Sequence, residues 1–218
     1  MVEQSVIKGL LILPILIPLF IGLKKVSSRD KISSWFILFL VIGLATDVAM
    51  WCLLYVGGTE NLLWVFNLYS LLEALFFFWF LGYTALSNSI RIISRAFLYS
   101  TLPFWLLCIF VYPLMMKGAS RSAVFDTTYE VIISFLAGLA LLQHVEKEES
   151  IFSKPVFWFI FGIFFYCFCT FYIMTFLQTF LSHKIWFLNN IFNIISYVFY
   201  SLGFWYLKAK PVPSKSAL

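Results

Sequence analysis

The chain is 218 residues long, 62% hydrophobic and only 11% charged, with a formal net charge of +5. So large an apolar share cannot be buried in a water-soluble core of this size, which leaves the lipid bilayer as its solvent. The basic residues sit between apolar runs, without the aromatic and basic interleaving of an RNA-binding surface, so nucleic acid is excluded as a partner.

Crossing about 30 Å of hydrocarbon takes roughly 20 apolar residues, and seven stretches meet that length: 5–23, 34–57, 61–84, 97–116, 122–143, 155–181 and 185–207. The expected fold is an all-α integral membrane protein, a bundle of seven transmembrane helices over 1–208, with a short tail at 209–218. The first stretch has Lys24 and Lys25 after it and no small-residue cleavage pattern, so it reads as a retained helix bent by Pro14 and Pro18. The second carries Asp47. The third contains "NLYSLLEALFFFWFLG" (67–82), in which Tyr69 and Glu73 stand four residues apart and share a helix face.

The fourth stretch has no acidic or basic residue, whereas the fifth places Asp126 and Glu130 four apart with Tyr129 beside them. The connection "HVEKEESIFSKP" (144–155) is polar and ends in a proline suited to a first helical turn. The sixth adds Tyr166 and Thr170. The seventh, "LNNIFNIISYVFYSLG", spaces Asn189, Asn193, Ser196 and Tyr200 by 4, 3 and 4 residues, a polar stripe through three turns. Such a stripe faces protein or water and not lipid.

Lysine and arginine concentrate on the cytoplasmic side of membrane proteins. Alternate connections here hold eleven basic residues against four, which puts the amino terminus outside and the carboxyl terminus in the cytoplasm. With those directions, Asp126, Glu130, Asn189 and Asn193 fall on the outer half of their helices, and Asp47 and Glu73 near the middle. The expectation is an outward-facing cavity walled by helices two, three, five, six and seven. Its ligand-binding residues are Asp47, Tyr69, Glu73, Asp126, Tyr129, Glu130, Tyr166, Asn189, Asn193, Ser196 and Tyr200, with Asp126 and Glu130 at the mouth. The plainer alternative is that the Asn, Ser, Thr and Tyr groups bond across helices as glue. Glue does not require a charge, so the carboxylates argue for more. Lys8 is the one basic residue near their depth and cannot balance four acids, so Glu73 is expected to be neutral at rest or satisfied by Tyr and Asn donors.

Enzyme chemistry finds little purchase. His144 and His183 sit at span ends on opposite sides, so a metal site of the alkaline ceramidase kind, or a serine with a histidine base, cannot be assembled. The seventh stretch lacks the central lysine that a retinal Schiff base requires, its first lysine being Lys208. Cys52, Cys108, Cys167 and Cys169 all lie in apolar runs and read as small hydrophobes. No cofactor and no metal is expected. The segments "NLYSLLEALFFFWF" and "WFLNNIFNIISYVFYSLGFW" resemble those of a group of small bacterial inner-membrane proteins that consist of little beyond seven spans. That resemblance implies the topology and an inner-membrane location, and no activity.

The leading expectation is a non-enzymatic, receptor-like or sensor-like membrane protein that binds a small polar or cationic ligand or protons. It would signal through a cytoplasmic or membrane partner contacting the basic loops and 144–155. Two alternatives stay open: a proton-coupled transporter or channel, and a structural subunit of a membrane complex.

Overall fold

The structure, a computed structural model, describes residues 13–25, 30–56, 59–111, 121–147, 150–176 and 182–207. Seven α-helices and no strand occur among them: α1 (Leu16–Lys25), α2 (Lys31–Val56), α3 (Thr59–Thr84), α4 (Asn88–Leu106), α5 (Arg121–Lys147), α6 (Pro155–Phe176) and α7 (Ser182–Trp205). Five of these, α2 to α6, carry stretches long and apolar enough to cross a membrane, as expected of a chain that resides in one. Helix is the form such sequences must take, because in hydrocarbon every backbone N–H and C=O has to be paired within the segment.

Local chemistry sets the ends. Asp30 precedes α2 and its carboxylate accepts from Ser33 N at 3.2 Å and Ser33 Oγ at 2.7 Å, satisfying first-turn donors. Pro155 opens α6, where its missing N–H costs nothing. Pro14 lies in a 3-10 turn, Leu13–Ile15, and Pro18 in the first turn of α1, so the two prolines mark a change of winding at the start of that helix. The fourth helix begins nine residues earlier than the expected 97, because Ser87 accepts from Ser89 N at 3.2 Å and caps a helix start at Asn88. Arg91 and Arg95 are therefore helical, and Arg91 Nη2 turns back to donate to the Ala85 carbonyl at 3.1 Å. Beyond Pro103 the same helix widens into a π-turn, Leu107–Val111. Residues 5–12, Lys8 among them, and the tail 209–218 lie outside the described residues.

Each helix packs on its neighbours in sequence and α7 returns to α1, closing a ring; α3 also reaches across it to α5 and α6. That makes α3 the hub. The end of the ring nearer Lys25 and Trp205 is filled by rings: Phe36 of α2 stacks on Phe159 (centroids 4.4 Å apart) and meets Phe80, Phe204 and Tyr200 edge-on. Phe36, Phe80, Phe159 and Phe204 are completely buried. Four helices thus contribute to one aromatic plug, whose edge-to-face pairs add to the area that they bury.

Glycines let α6 and α7 interlock. An added Cβ at Gly162 of α6 would stand 2.4 Å from Tyr200 Cε1, and one at Gly203 of α7 would stand 2.6 Å from Phe159 Cε1. Each helix seats a ring of the other on a bare backbone, the small-residue packing that membrane helices favour. At Gly138 of α5 the nearest atom would be 3.4 Å away, an ordinary contact. Gly162→Ala and Gly203→Ala should each cost about 1–3 kcal/mol by overpacking. Thermal unfolding in detergent should show both variants melting well below the parent, and Gly138→Ala close to it.

Candidate functional site

Glu73 sits at the middle of α3, only 4% exposed, and takes its polar partners from tyrosines. Tyr129 of α5 donates to Oε2 at 2.7 Å; Tyr166 of α6 approaches the same oxygen, and Tyr69, one turn back on α3, approaches Oε1, both at 3.4 Å. The first is a full-strength hydrogen bond and the other two are long. An acid in this setting is held by phenols alone, donors that carry no charge.

Beside it lies a cavity of about 20 Å³, room for a single water. Gly43, Phe39 and Leu40 of α2, Tyr69, Glu73 and Phe77 of α3, Tyr166 of α6, and Asn193, Ser196, Tyr197 and Tyr200 of α7 line it, with Ile15 closing the α1 side. Pockets for small organic ligands run to roughly 300–1,000 Å³, and this space is water-sized by comparison. Gly43 is bare for a reason, since a Cβ there would press to 3.3 Å from the Tyr69 hydroxyl. Below the cavity the aromatic plug begins with Phe77, Phe36 and Tyr200.

The other candidate acids are placed unequally. Asp47, one turn along α2 from Gly43, is partly exposed and close enough to act electrostatically on Glu73, Tyr69 and Tyr197. Asp126 and Glu130 are each 1% exposed, packed between α3, α5 and α6, and neither lines the cavity beside Glu73. Among the described residues neither oxygen of Asp126 has a hydrogen-bond partner, although the buried Ser70 hydroxyl is close by, and Glu130 Oε2 also lacks one. Among the described residues, Glu73 acts electrostatically on Asp126, and Asp126 and Glu73 both act on Glu130. Their lateral position explains the burial: both project from the α5 face that meets α3 and α6, and depth along the helix does not report that.

Asn193 lines the cavity, whereas Asn189 is partly buried one turn away, with an unpartnered Oδ1. Thr170 Oγ1 donates to the Tyr166 carbonyl at 2.7 Å and Ser196 Oγ to the Phe192 carbonyl at 2.9 Å, so each hydroxyl gives its proton within its own helix and has only its oxygen to offer a neighbour. Tyr197 is a lining residue that the 4, 3, 4 stripe passes over; its spacing of four from Asn193 was the available signal. Cys167, fully buried near Glu130 and Tyr200, belongs to the polar cluster and not only to the apolar packing.

Tyr129→Phe removes the one short bond to Glu73 and should lower stability by about 1–2 kcal/mol. Tyr69→Phe and Tyr166→Phe remove long ones and should cost less than half of that in the same unfolding measurement. A reversed order would place the main support of Glu73 elsewhere. Set against protein-family models, curated proteins and solved structures, the chain matches none of them; it shares with known membrane proteins a topology of long apolar helices and nothing more specific.

Proposed function

We propose that this chain is a proton-responsive membrane protein in which Glu73 gains and loses a proton, with the water-sized cavity as its access and Asp47 at the entrance. The carrying observation is the environment of Glu73: an acid at the hub helix of a bundle, given three phenol donors and, among the described residues, no cation, beside space for one water. The donors ease the ionised form and burial eases the neutral one, so the group is poised between two states that differ by one proton. A larger polar or cationic ligand would need room that is not there.

In this reading all seven helices span the membrane, with the amino terminus outside, as the eleven-to-four division of basic residues supports. A bacterial inner membrane is the home proposed for it, the five long apolar helices supporting a membrane location. The plug of Phe36, Phe80, Phe159 and Phe204 favours sensing over transport, because it offers a proton no polar step beyond the cavity. Ionising Glu73 places a charge where α3 meets α5 and α6, and the packing that best solvates that charge differs from the packing around a neutral acid. A partner at the basic cytoplasmic loops and 144–155 would read that difference.

Reconstituted protein should show, in infrared difference spectra between acidic and alkaline buffer, a carboxylic C=O band that Glu73→Gln deletes. Vesicles loaded with a pH-sensitive dye should show no flux through the parent chain. An unchanged band in Glu73→Gln removes Glu73 as the proton site; a flux that Glu73→Gln abolishes replaces the sensor with a transporter.

A further inference from the structure

A second space lies on the outside of the ring, along the seam of α1 and α7. The two helices run in the same direction there: Gly22 faces Ile37 and Phe204, and Lys25 donates to the Trp205 carbonyl and lies over the Trp205 ring, 4.4 Å from its centroid. Between them is a groove of about 220 Å³, formed by Ile17 and Ile21 of α1 and by Ile194, Val198 and Leu202 of α7, and ending at Trp205. The residues recur every three or four positions, so each helix offers one continuous apolar strip. Ser201 is the one hydroxyl besides Tyr197, and its Oγ is already given to the Tyr197 carbonyl at 2.7 Å. Water would find almost nothing to bond to, and an empty groove would forfeit dispersion contacts along its length.

Charge selects the occupant. At the Trp205 end stand Lys24 and Lys25: Lys24 Nζ is held over the Phe20 ring at 4.1 Å, and Lys25 as described. An apolar strip that ends in two ammonium groups is complementary to an amphiphile with an acyl chain and an anionic head. We infer that the α1–α7 seam is a binding site for an anionic phospholipid, one acyl chain lying in the groove and its phosphate meeting Lys24 and Lys25. Juxtamembrane lysines attract anionic lipid in this way. The site is not detached from the interior, because Tyr197 forms the wall of both the groove and the Glu73 cavity. A chain pressed against Tyr197 therefore bears on the cavity where Glu73 sits.

The inference rests on the part of the proposed function that places α1 and α7 in the bilayer, and not on proton exchange by Glu73. Native mass spectrometry of the full chain in detergent, titrated with phosphatidylglycerol or phosphatidylcholine, tests it. Phosphatidylglycerol should bind more tightly, and Lys24→Gln with Lys25→Gln should weaken it by roughly tenfold while leaving phosphatidylcholine nearly unchanged. Ser201→Phe, which fills the groove, should weaken both lipids, and inorganic phosphate should not displace them. Equal affinity for the two lipids, indifference to both variants, full displacement by inorganic phosphate, or a lipid-free dimer occupying the seam would each overturn the site. Ile17→Cys should resist a water-soluble maleimide in vesicles; its rapid labelling would show that the membrane placement had failed, and the lipid site with it. Glu73→Gln should leave phosphatidylglycerol binding intact, so loss of the proton band in that variant has no bearing on this site.

Discussion

A carboxyl group buried in a helix bundle with no cation beside it must be supported by neutral donors or keep its proton, and Glu73 is arranged for both. Its phenol partners come from α3, α5 and α6, so the support of one acid is also a tie between three helices. The surrounding layout follows from keeping that acid away from bulk water. Phe77 lies one turn below it, the Phe36 plug seals the bundle further down, and only a water-sized opening is left on the side of α2 and α7. Glycine at position 43 is part of the same requirement, since a side chain there would crowd the Tyr69 hydroxyl.

Asp126 and Glu130 make the same point by contrast. They are as deeply buried as Glu73 yet, among the described residues, lack its phenol donors and have acids as the charged groups that act on them. In a medium without water, two such groups on one helix face cannot both be charged at tolerable cost. Their neighbours, Tyr129 and Cys167, are uncharged, and Tyr129 bonds to Glu73, so the three acids form a single electrostatic unit reached through one phenol.

Much of this was legible in the residues. Apolar length located the helices, because hydropathy and span length are governed by the same hydrocarbon thickness. The i, i+4 relation of Tyr69 and Glu73 told which phenol shares a face with the acid, and Tyr129 and Tyr166 stood among the candidates because each lies mid-helix beside another polar group. The start of α4 was hidden, since a helix end at the membrane surface carries Ser87, Arg91 and Arg95 and reads as a loop by hydropathy. The size of the cavity was hidden too. It depends on how far apart the Phe39, Leu40 and Tyr197 side chains hold α2 and α7, and no single helix encodes that distance. The lateral burial of Asp126 and Glu130 was hidden for a similar reason: position along an axis is written in the sequence, position around the ring is not.

The glycine seats of α6 and α7 have a mechanical consequence. Each helix holds an aromatic ring of the other against its backbone, at Gly162 and at Gly203, and on each helix the ring and the seat are three residues apart, Phe159 and Gly162 on α6 and Tyr200 and Gly203 on α7. Two rods pinned to each other in that manner cannot slide along their common axis without lifting a ring from its seat. They behave as a fixed half of the molecule. Any rearrangement that follows a change of charge on Glu73 is thereby directed to the other half, where the glycines of α1 and α2 approach their neighbours less closely, to 3.1 Å at Gly22 and 3.3 Å at Gly43, and motion of that kind is a swing of one pair of helices and not a breathing of the whole ring.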